Sequence, residues 1–259
     1  MDVFTQLWKA FADLPMVEAI ALGGSRSTQV YDETSDYDLY IYCSSVPDEE
    51  MRKEILAKTC QYTEIGNHYW ELEDDCTLKN GVDIDILYRN ISDFTADLAD
   101  VVEDGHARCG YTTCFWHNLL TCKLLYDPHK KLEKLKQRFD IPYPQTLKQA
   151  IIKQNMDLLT GKLPSYDKQM MKASRRGDWV SVNHRIAAYL ASYFDVIFAV
   201  NELTHPGEKR MVSYAKEHAS TLPVDFEENI NSLLELAMAE PINLSKCLTQ
   251  LHTNLKEIL

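Results

Sequence analysis

Short runs of apolar residues, interrupted by polar ones, dominate the first ninety positions of the chain. Residues 17–22 are apolar apart from one glutamate and end at Gly23-Gly24, which predicts a buried strand that stops at a sharp turn. Residues 36–42 and 82–88 place polar and apolar side chains on opposite faces, as half-buried strands do. Asn80-Gly81 comes directly before the second of these stretches and is a strong hairpin signal. The pattern therefore predicts several strands in this part of the chain.

Helical signals increase along the chain. A first helix is predicted from Pro47 to about Cys60, because a proline followed by acidic residues suits the first turn of a helix. After residue 90 nearly the whole chain has the period of an amphipathic helix, including residues 94–102 and 115–126. A long apolar helix is predicted over residues 187–200.

The clearest linker is the segment of residues 140–144, where two prolines interrupt the helical pattern. We therefore predict two domains, an α/β domain over residues 1–140 and an all-helical bundle over residues 145–259. The length of 259 residues is sufficient for one or two domains with a sizeable core.

The turn after the first strand is a candidate phosphate-binding site. Two glycines that lead into a helix let backbone N–H groups approach phosphate oxygens, and the positive end of the helix dipole favours an anion. Gly24, Ser25 and Arg26 are therefore candidate ligands of a triphosphate. An ordinary turn is the alternative interpretation of a Gly-Gly-Ser sequence taken alone.

Two of the predicted strands each carry a pair of aspartates on one face. Asp36 and Asp38 form the first pair, and Asp83 and Asp85 form the second. Because like charges repel each other, each pair needs a cation or exposure to water, and Mg²⁺ is commonly held by one or two carboxylates together with substrate phosphates. Placing the two strands side by side in a sheet would gather enough carboxylates for two metal ions.

The choice of the third carboxylate rests on the neighbours of each aspartate. Asp85 is preferred because the apolar residues Ile84, Ile86 and Leu87 surround it, whereas Asp83 lies nearer the hairpin turn, where a solvated aspartate is common. Register cannot be read from one sequence, so Asp83 stays an alternative.

Three motifs therefore occur in order: Leu22-Gly23-Gly24-Ser25-Arg26, the Asp36-x-Asp38 pair, and Val82-x-x-Asp85-Ile86. In this combination they resemble the nucleotidyltransferase domain of the DNA polymerase beta superfamily, specifically its small bacterial branch around kanamycin nucleotidyltransferase. The resemblance covers about the first half of the chain. It implies an α+β fold with a mixed sheet flanked by helices, and transfer of a nucleoside monophosphate from an NTP, with ATP as the expected donor, to an acceptor.

The resemblance also implies roles for individual residues. Gly24 and Ser25 match its phosphate-binding turn, Asp36 and Asp38 match its metal pair, and Asp85 matches its third carboxylate, which can also serve as general base. Two Mg²⁺ ions are expected.

A second group of candidates follows the predicted helix of residues 187–200. Helical domains in that branch carry an Asn and a Gly-x-Lys-Arg stretch that face the nucleotide, which implies that Asn201 positions a polar group of the nucleotide and that Lys209 neutralises triphosphate charge. The alternatives are that Asn201 is a helix C-terminal residue and that Lys209 and Arg210 form an exposed helix start.

Charge restricts the class of acceptor. The formal net charge is −12, and residues 1–100 contain 21 acidic and 7 basic residues. An acidic domain repels the backbone of a nucleic acid, so the expected acceptor is a small molecule, and an aminoglycoside-like compound is one candidate. The acidic residues of the segment 71–75 would attract a cationic acceptor, with solubility as the alternative role. They are Glu71, Glu73, Asp74 and Asp75.

The location expected from the sequence is the cytoplasm. No stretch approaches the roughly 20 apolar residues of a membrane span, so no membrane partner is expected. The N-terminal residues lack the features of a signal peptide, and the seven cysteines show no CxxC spacing, which indicates reduced thiols.

The expected function is thus Mg²⁺-dependent nucleotidyl transfer to a hydroxyl of a small acceptor, with release of pyrophosphate. Two alternatives stay open: an antitoxin-like or regulatory domain that modifies or binds a protein or RNA, and a nucleotide-binding pseudoenzyme.

Overall fold

The computed structural model describes residues 1–27, 35–68, 71–161, 164–238 and 241–259. Within these ranges the chain forms two compact units. The first contains residues 1–99 and 118–141, and the second contains residues 100–117 and 142–259. No helix of the described ranges is both long and apolar enough to cross a membrane.

The first unit is built on a mixed sheet. Its strands in the described part are β1 Val17–Gly23, β2 Tyr37–Cys43, β3 Cys60–Asn67, β4 Glu73–Leu78, β5 Asp83–Asn90 and β6 Lys123–Tyr126. The strand order is β3-β4-β5-β2-β1-β6. Strands β2 and β5 are parallel and the other neighbours are antiparallel. The α+β class with a mixed sheet is therefore confirmed.

Helices pack on both faces of this sheet. The helices that begin in the first 121 residues are α1 Val3–Ala12, α2 Glu49–Thr59, α3 Ile91–Val102 and α4 Cys114–Thr121, and α5 Lys131–Phe139 follows β6. Apolar residues of α1 and α2 join those of the sheet in one core, in which Leu39, Ile41, Ile84 and Ile86 are fully buried. Because side chains alternate along a strand, Asp38 and Asp85 project from the opposite face.

The predicted Asn80-Gly81 hairpin joins β4 to β5. Gly81 has φ +86°, which glycine adopts without strain. Its N–H donates to the carbonyl of Leu78 (2.8 Å), and the N–H of Leu78 donates to the carbonyl of Val82 (2.8 Å). The tight turn fixes the register of β5 against β4, and with it the face of the sheet on which Asp85 lies.

The second unit is helical. It contains α6 Gln145–Met156, which continues as one π-helical turn, α7 Tyr166–Ser174, α8 Trp179–Val200, α9 Met211–His218, α10 Phe226–Glu235 and α11 Pro241–Lys256. Helix α8 carries much of the core, with Tyr189, Tyr193, Phe194 and Phe198 almost completely buried. The helical bundle predicted for this part of the chain is observed.

Two sequence expectations differ from the structure. The helix predicted over residues 115–126 ends at Thr121, and residues 123–126 form β6, which pairs with β1 at the sheet edge. That prediction was wrong, because pairing with a distant strand outweighs a helical period over four residues.

The second difference concerns residues 100–117, which belong to the helical unit although they precede the predicted linker. Gly110, with φ +90°, allows this segment to pack on α8, because a Cβ there would lie 2.8 Å from that of Ala191. Thr112 adds hydrogen bonds from its N–H and hydroxyl to Asp195 (3.0 and 2.5 Å).

Candidate active site

The central feature of the first unit is a pair of aspartates on neighbouring parallel strands. Asp38 of β2 and Asp85 of β5 are direct partners in the register of the sheet. Both side chains are partly exposed, while Leu39 and Ile86, next to them in the chain, are fully buried on the other face. Asp36 comes directly before β2. The structure therefore brings together the two strands on which the sequence places candidate metal ligands.

The glycine turn lies against this aspartate pair. Gly23, the last residue of β1, is the register partner of Asp38. Gly24 follows with φ +58°, and a Cβ there would lie 1.7 Å from Oδ2 of Asp38. Only glycine fits this position, because any side chain would be strained and would also displace the carboxylate.

The segment after the turn is held by Arg26. Residues Ser25–Ser27 form a short 3-10 turn. The Nε–H of Arg26 donates to the carbonyl of Ser35 (2.7 Å), and its guanidinium lies 4.1 Å from the ring centre of Tyr37. That ring stacks in turn on Phe4 of α1, with 4.1 Å between centres. Arg26 thus ties the glycine turn to the start of β2, close to Asp36.

The environments of Asp83 and Asp85 differ in the way that the sequence suggests. Asp83 is exposed and accepts a hydrogen bond from the Thr77 hydroxyl (2.8 Å). Burial, followed by the negative charges of Asp38 and Asp75, raises the pKa of Asp85 to about 6. A carboxyl with a raised pKa beside another carboxylate is typical of a group that binds a cation or exchanges a proton.

Sequence reasoning did not place Asp75 at this site. Asp75 of β4 is the register partner of Asp85, so three neighbouring strands carry aspartates at matching positions. Glu73 lies two residues away on the same face, and burial and the charge of Asp75 raise the pKa of its carboxyl. The polar–apolar alternation of β4 over Glu73, Asp75 and Thr77 was the signal that could have found them.

The acidic segment of residues 71–75 is consequently not one uniform surface. Asp74 is fully buried on the other face of the sheet, where it forms an ion pair with Arg52 and accepts a hydrogen bond from the Tyr88 hydroxyl (2.8 Å). Glu71 forms an ion pair with Arg89 (2.5 Å). The expectation that all four acids face an acceptor is corrected, because two of them neutralise buried arginines.

The two candidates of the helical unit have different surroundings. Asn201 is the C-terminal capping residue of α8. Its amide Nδ2 donates to the carbonyls of Ile197 and Thr221 (both 2.9 Å), and its Oδ1 accepts from the N–H of Thr221 (2.9 Å). Lys209 is exposed in the turn before α9, next to Arg210 with φ +59°. A nucleotide contact of either residue stays a prediction.

The donor set on the sheet face consists of carboxylate oxygens, which are the ligands that Mg²⁺ prefers. Within the ranges that the structure describes, no three Asp, Glu, His or Cys side chains are gathered closely enough to hold a metal ion by themselves. On this face, one or two carboxylates can bind Mg²⁺ if substrate phosphates supply further ligands.

Comparisons with known proteins identify the same part of the chain. Residues 5–107 match the sequence model of the family described as nucleotidyltransferase domain. This range contains the glycine turn and the aspartates discussed above, and the match confirms the nucleotidyltransferase domain expected from the three motifs. No curated protein has significant sequence similarity to the chain.

Solved structures show more distant similarity. A nucleotidyltransferase-like protein from Exiguobacterium sibiricum is 11% identical, with a TM-score of 0.46 over 98% of this chain and 74% of the other. Spectinomycin adenyltransferase from Enterococcus faecialis is 13% identical, with a TM-score of 0.32 over 98% and 96%. The Thermotoga maritima CCA-adding enzyme is 12% identical, with a TM-score of 0.28 over 96% and 78%. Similarity at this level carries no functional argument.

Proposed function

Since the chain contains a nucleotidyltransferase domain over residues 5–107, we propose that it is a Mg²⁺-dependent enzyme that transfers a nucleoside monophosphate from an NTP to a hydroxyl of a small acceptor. The expected donor is ATP, and pyrophosphate is released. The observation that carries the proposal is the pairing of Asp38 with Asp85 on adjacent parallel strands, directly beside the Gly24 turn.

Each residue of the sheet face has a task in this reaction. The backbone N–H groups of the Gly24-Ser25 turn bind the β- and γ-phosphates, and Arg26 keeps this turn in place. Asp36, Asp38 and Asp85 are the carboxylates that would hold Mg²⁺, with substrate phosphates completing its ligands. When bound, Mg²⁺ neutralises charge on the phosphates.

Asp85 also fits the role of general base. The acceptor hydroxyl gives its proton to the Asp85 carboxylate while its oxygen forms a bond to the α-phosphorus, and the bond from that phosphorus to the pyrophosphate oxygen breaks. Burial and the charge of Asp38 raise the pKa of Asp85. This suits the task, because a general base works best when its pKa lies near the operating pH.

The acceptor proposed for this site is cationic. Asp75 and Glu73 continue the negative surface from Asp85 across β4, and a positively charged acceptor would be attracted there. A contact of Lys209 with the triphosphate stays a prediction. Asn201 makes hydrogen bonds within its own unit, which support the alternative that it caps α8, so its contact with the nucleotide is kept only as a prediction to be tested with Asn201→Ala.

The direct test is transfer of label from each α-³²P NTP in the presence of Mg²⁺ to aminoglycosides, lincosamides, total RNA and total protein, with Asp38→Asn as the inactive control. Label on a cationic small molecule, absent with Asp38→Asn, is expected. Label on RNA or protein would instead support macromolecular modification. Failure of the wild-type protein to bind any NTP with Mg²⁺ would contradict the proposal.

A further inference from the structure

A buried arginine lies on the same sheet face as the aspartates. Arg89, four residues after Asp85 on β5, is only 6% exposed. Its guanidinium carbon lies 4.1 Å from the ring centre of Tyr40 and 4.8 Å from that of Phe94. A planar guanidinium can stack on aromatic rings in this way, whereas the ammonium of lysine cannot.

The polar atoms of Arg89 are joined to further residues, among them Glu71 and Asn118. Its Nε–H donates to Glu71 (2.8 Å), and one Nη lies 2.5 Å from the same carboxylate. Its other Nη donates to Oδ1 of Asn118 (2.9 Å), whose Nδ2 donates to the hydroxyl of Tyr40 (2.9 Å). We call Glu71, Arg89, Asn118 and Tyr40 the Arg89 cluster. It fixes Tyr40 both by its ring face and by its hydroxyl.

Tyr40 connects this cluster to the candidate active site. It follows Asp38 by two residues and therefore lies on the same face of β2. Its ring rests on the backbone of Gly23, where a Cβ would lie 2.1 Å from Cε2 of Tyr40. Gly24 in turn lies against the Asp38 carboxylate. A displacement of the Tyr40 ring would therefore be transmitted to both the phosphate turn and the metal ligand.

We propose that Arg89 and Glu71 are positioning residues for nucleotide binding, because they hold the Tyr40 ring against the Gly23-Gly24 turn. The inference rests on the proposed function. A buried ion pair is not an efficient source of stability compared with apolar packing, so its value here lies in the orientation that the guanidinium fork imposes.

The chain contains a matched control for this idea. Arg52 is also 6% exposed, is paired with a buried carboxylate, Asp74, and lies over a tyrosine ring, that of Tyr88 (5.1 Å). It belongs to the first unit too, but it is a residue of α2 and lies on the face of the sheet that carries no candidate ligand. Arg89→Lys and Arg52→Lys therefore make the same chemical change on the two faces.

The experiment is calorimetric titration of the full chain with the four α,β-methylene nucleoside triphosphates in the presence of Mg²⁺. Irreversibly unfolded protein lowers the stoichiometry and leaves the dissociation constant unchanged, and reversible unfolding raises the dissociation constant only when the folded fraction falls well below one. Arg89→Lys is expected to raise the dissociation constant roughly tenfold, as loss of residues that orient ligands commonly does. Arg52→Lys is expected to lower only the stoichiometry or the thermal stability.

Glu71→Gln provides a second variant if Arg89→Lys does not fold. It keeps the size of the side chain and removes the charge that orients the guanidinium, so it should also raise the dissociation constant of the nucleotide. If Arg89→Lys and Glu71→Gln both fold and keep the wild-type dissociation constant, or if Arg52→Lys raises it equally, the inference is overturned while the proposed function stands. Absence of binding by the wild-type protein overturns the proposed function and this inference together.

Discussion

Gly24 combines two constraints at one residue, a left-handed backbone and contact with a carboxylate. Gly24→Ala is expected to abolish binding of Mg²⁺-NTP, because the new Cβ would displace the Asp38 carboxylate, which lies 1.7 Å from its position. Titration with the nucleotide measures this loss. The left-handed conformation itself should cost about 1–2 kcal/mol of stability.

Gly66→Ala separates the two effects. Gly66 also has a positive φ, +83°, but apart from its chain neighbours no atom of the described residues lies within 4 Å of the position of its Cβ. We expect a similar loss of thermal stability in Gly66→Ala and an unchanged affinity for the nucleotide. Equal losses of affinity in both variants would argue that backbone strain, rather than the contact with Asp38, determines the requirement for glycine.

Asp83 and Asp85 offer a comparison between neighbouring residues on one strand face. Asp85→Asn should lower the rate of nucleotidyl transfer by roughly 10²–10⁴-fold, the usual contribution of a general base. Asp83→Asn should leave the rate close to that of the wild type, because Asp83 is exposed and bonded to Thr77. The measurement is the single-turnover rate of label transfer, and a reversed order would reassign the third carboxylate to Asp83.

At the scale of the element, the sequence predicted helices and strands best where a local pattern of residues determines them. The alternation along β2 and β5 placed Asp38 and Asp85 on one face, and Asn80-Gly81 predicted the hairpin that sets the register of β5 against β4. Strand β6 was missed because its partner, β1, lies about a hundred residues earlier in the chain. The burial of Asp74 and Arg89 was missed for the same reason, since each depends on a partner from another element.

Helix α8 contains a buried carboxyl group whose effect on the pH dependence of stability can be tested with one substitution. Asp195 is 2% exposed and accepts hydrogen bonds from Thr112 and from Nδ2 of Asn155 (3.2 Å). Burial raises its pKa to about 6, above the ordinary value of 3.8. The protonated form is therefore favoured in the folded state, and the stability that it contributes is lost as the pH rises through 6.

Asp195→Asn should remove this loss. Between pH 5 and pH 8, the wild-type protein should lose on the order of 1 kcal/mol more of its free energy of unfolding than the variant does. Urea denaturation at the two pH values measures the difference. Equal changes in the two proteins would show that Asp195 is ionised in the folded state at both.

The two units should respond to acid differently, because the histidines whose pKa is lowered by burial lie in the second unit. Burial lowers the pKa of the half-buried His117 and of the buried His252 to about 4, and that of the buried His205 to about 3. A group whose folded pKa lies below its ordinary value of 6.5 stabilises the fold at neutral pH, and this stability is lost as the pH falls from about 6 towards these values. The raised pKa values of Asp85 in the first unit and of Asp195 in the second act in the opposite direction.

Hydrogen exchange followed by mass spectrometry at pH 7, 5 and 4 can follow both units in one sample, after correction for the pH dependence of the intrinsic exchange rate. We expect α8 and α11 to lose protection at a higher pH than β1, β2 and β5. His205→Gln is the sharpest variant, because its side chain is fully buried and its Nε2 has no hydrogen-bond partner among the described residues. A neutral amide there should shift the loss of protection of α8 to lower pH, whereas an unchanged midpoint would show that carboxylates, rather than buried histidines, control acid unfolding of the helical unit.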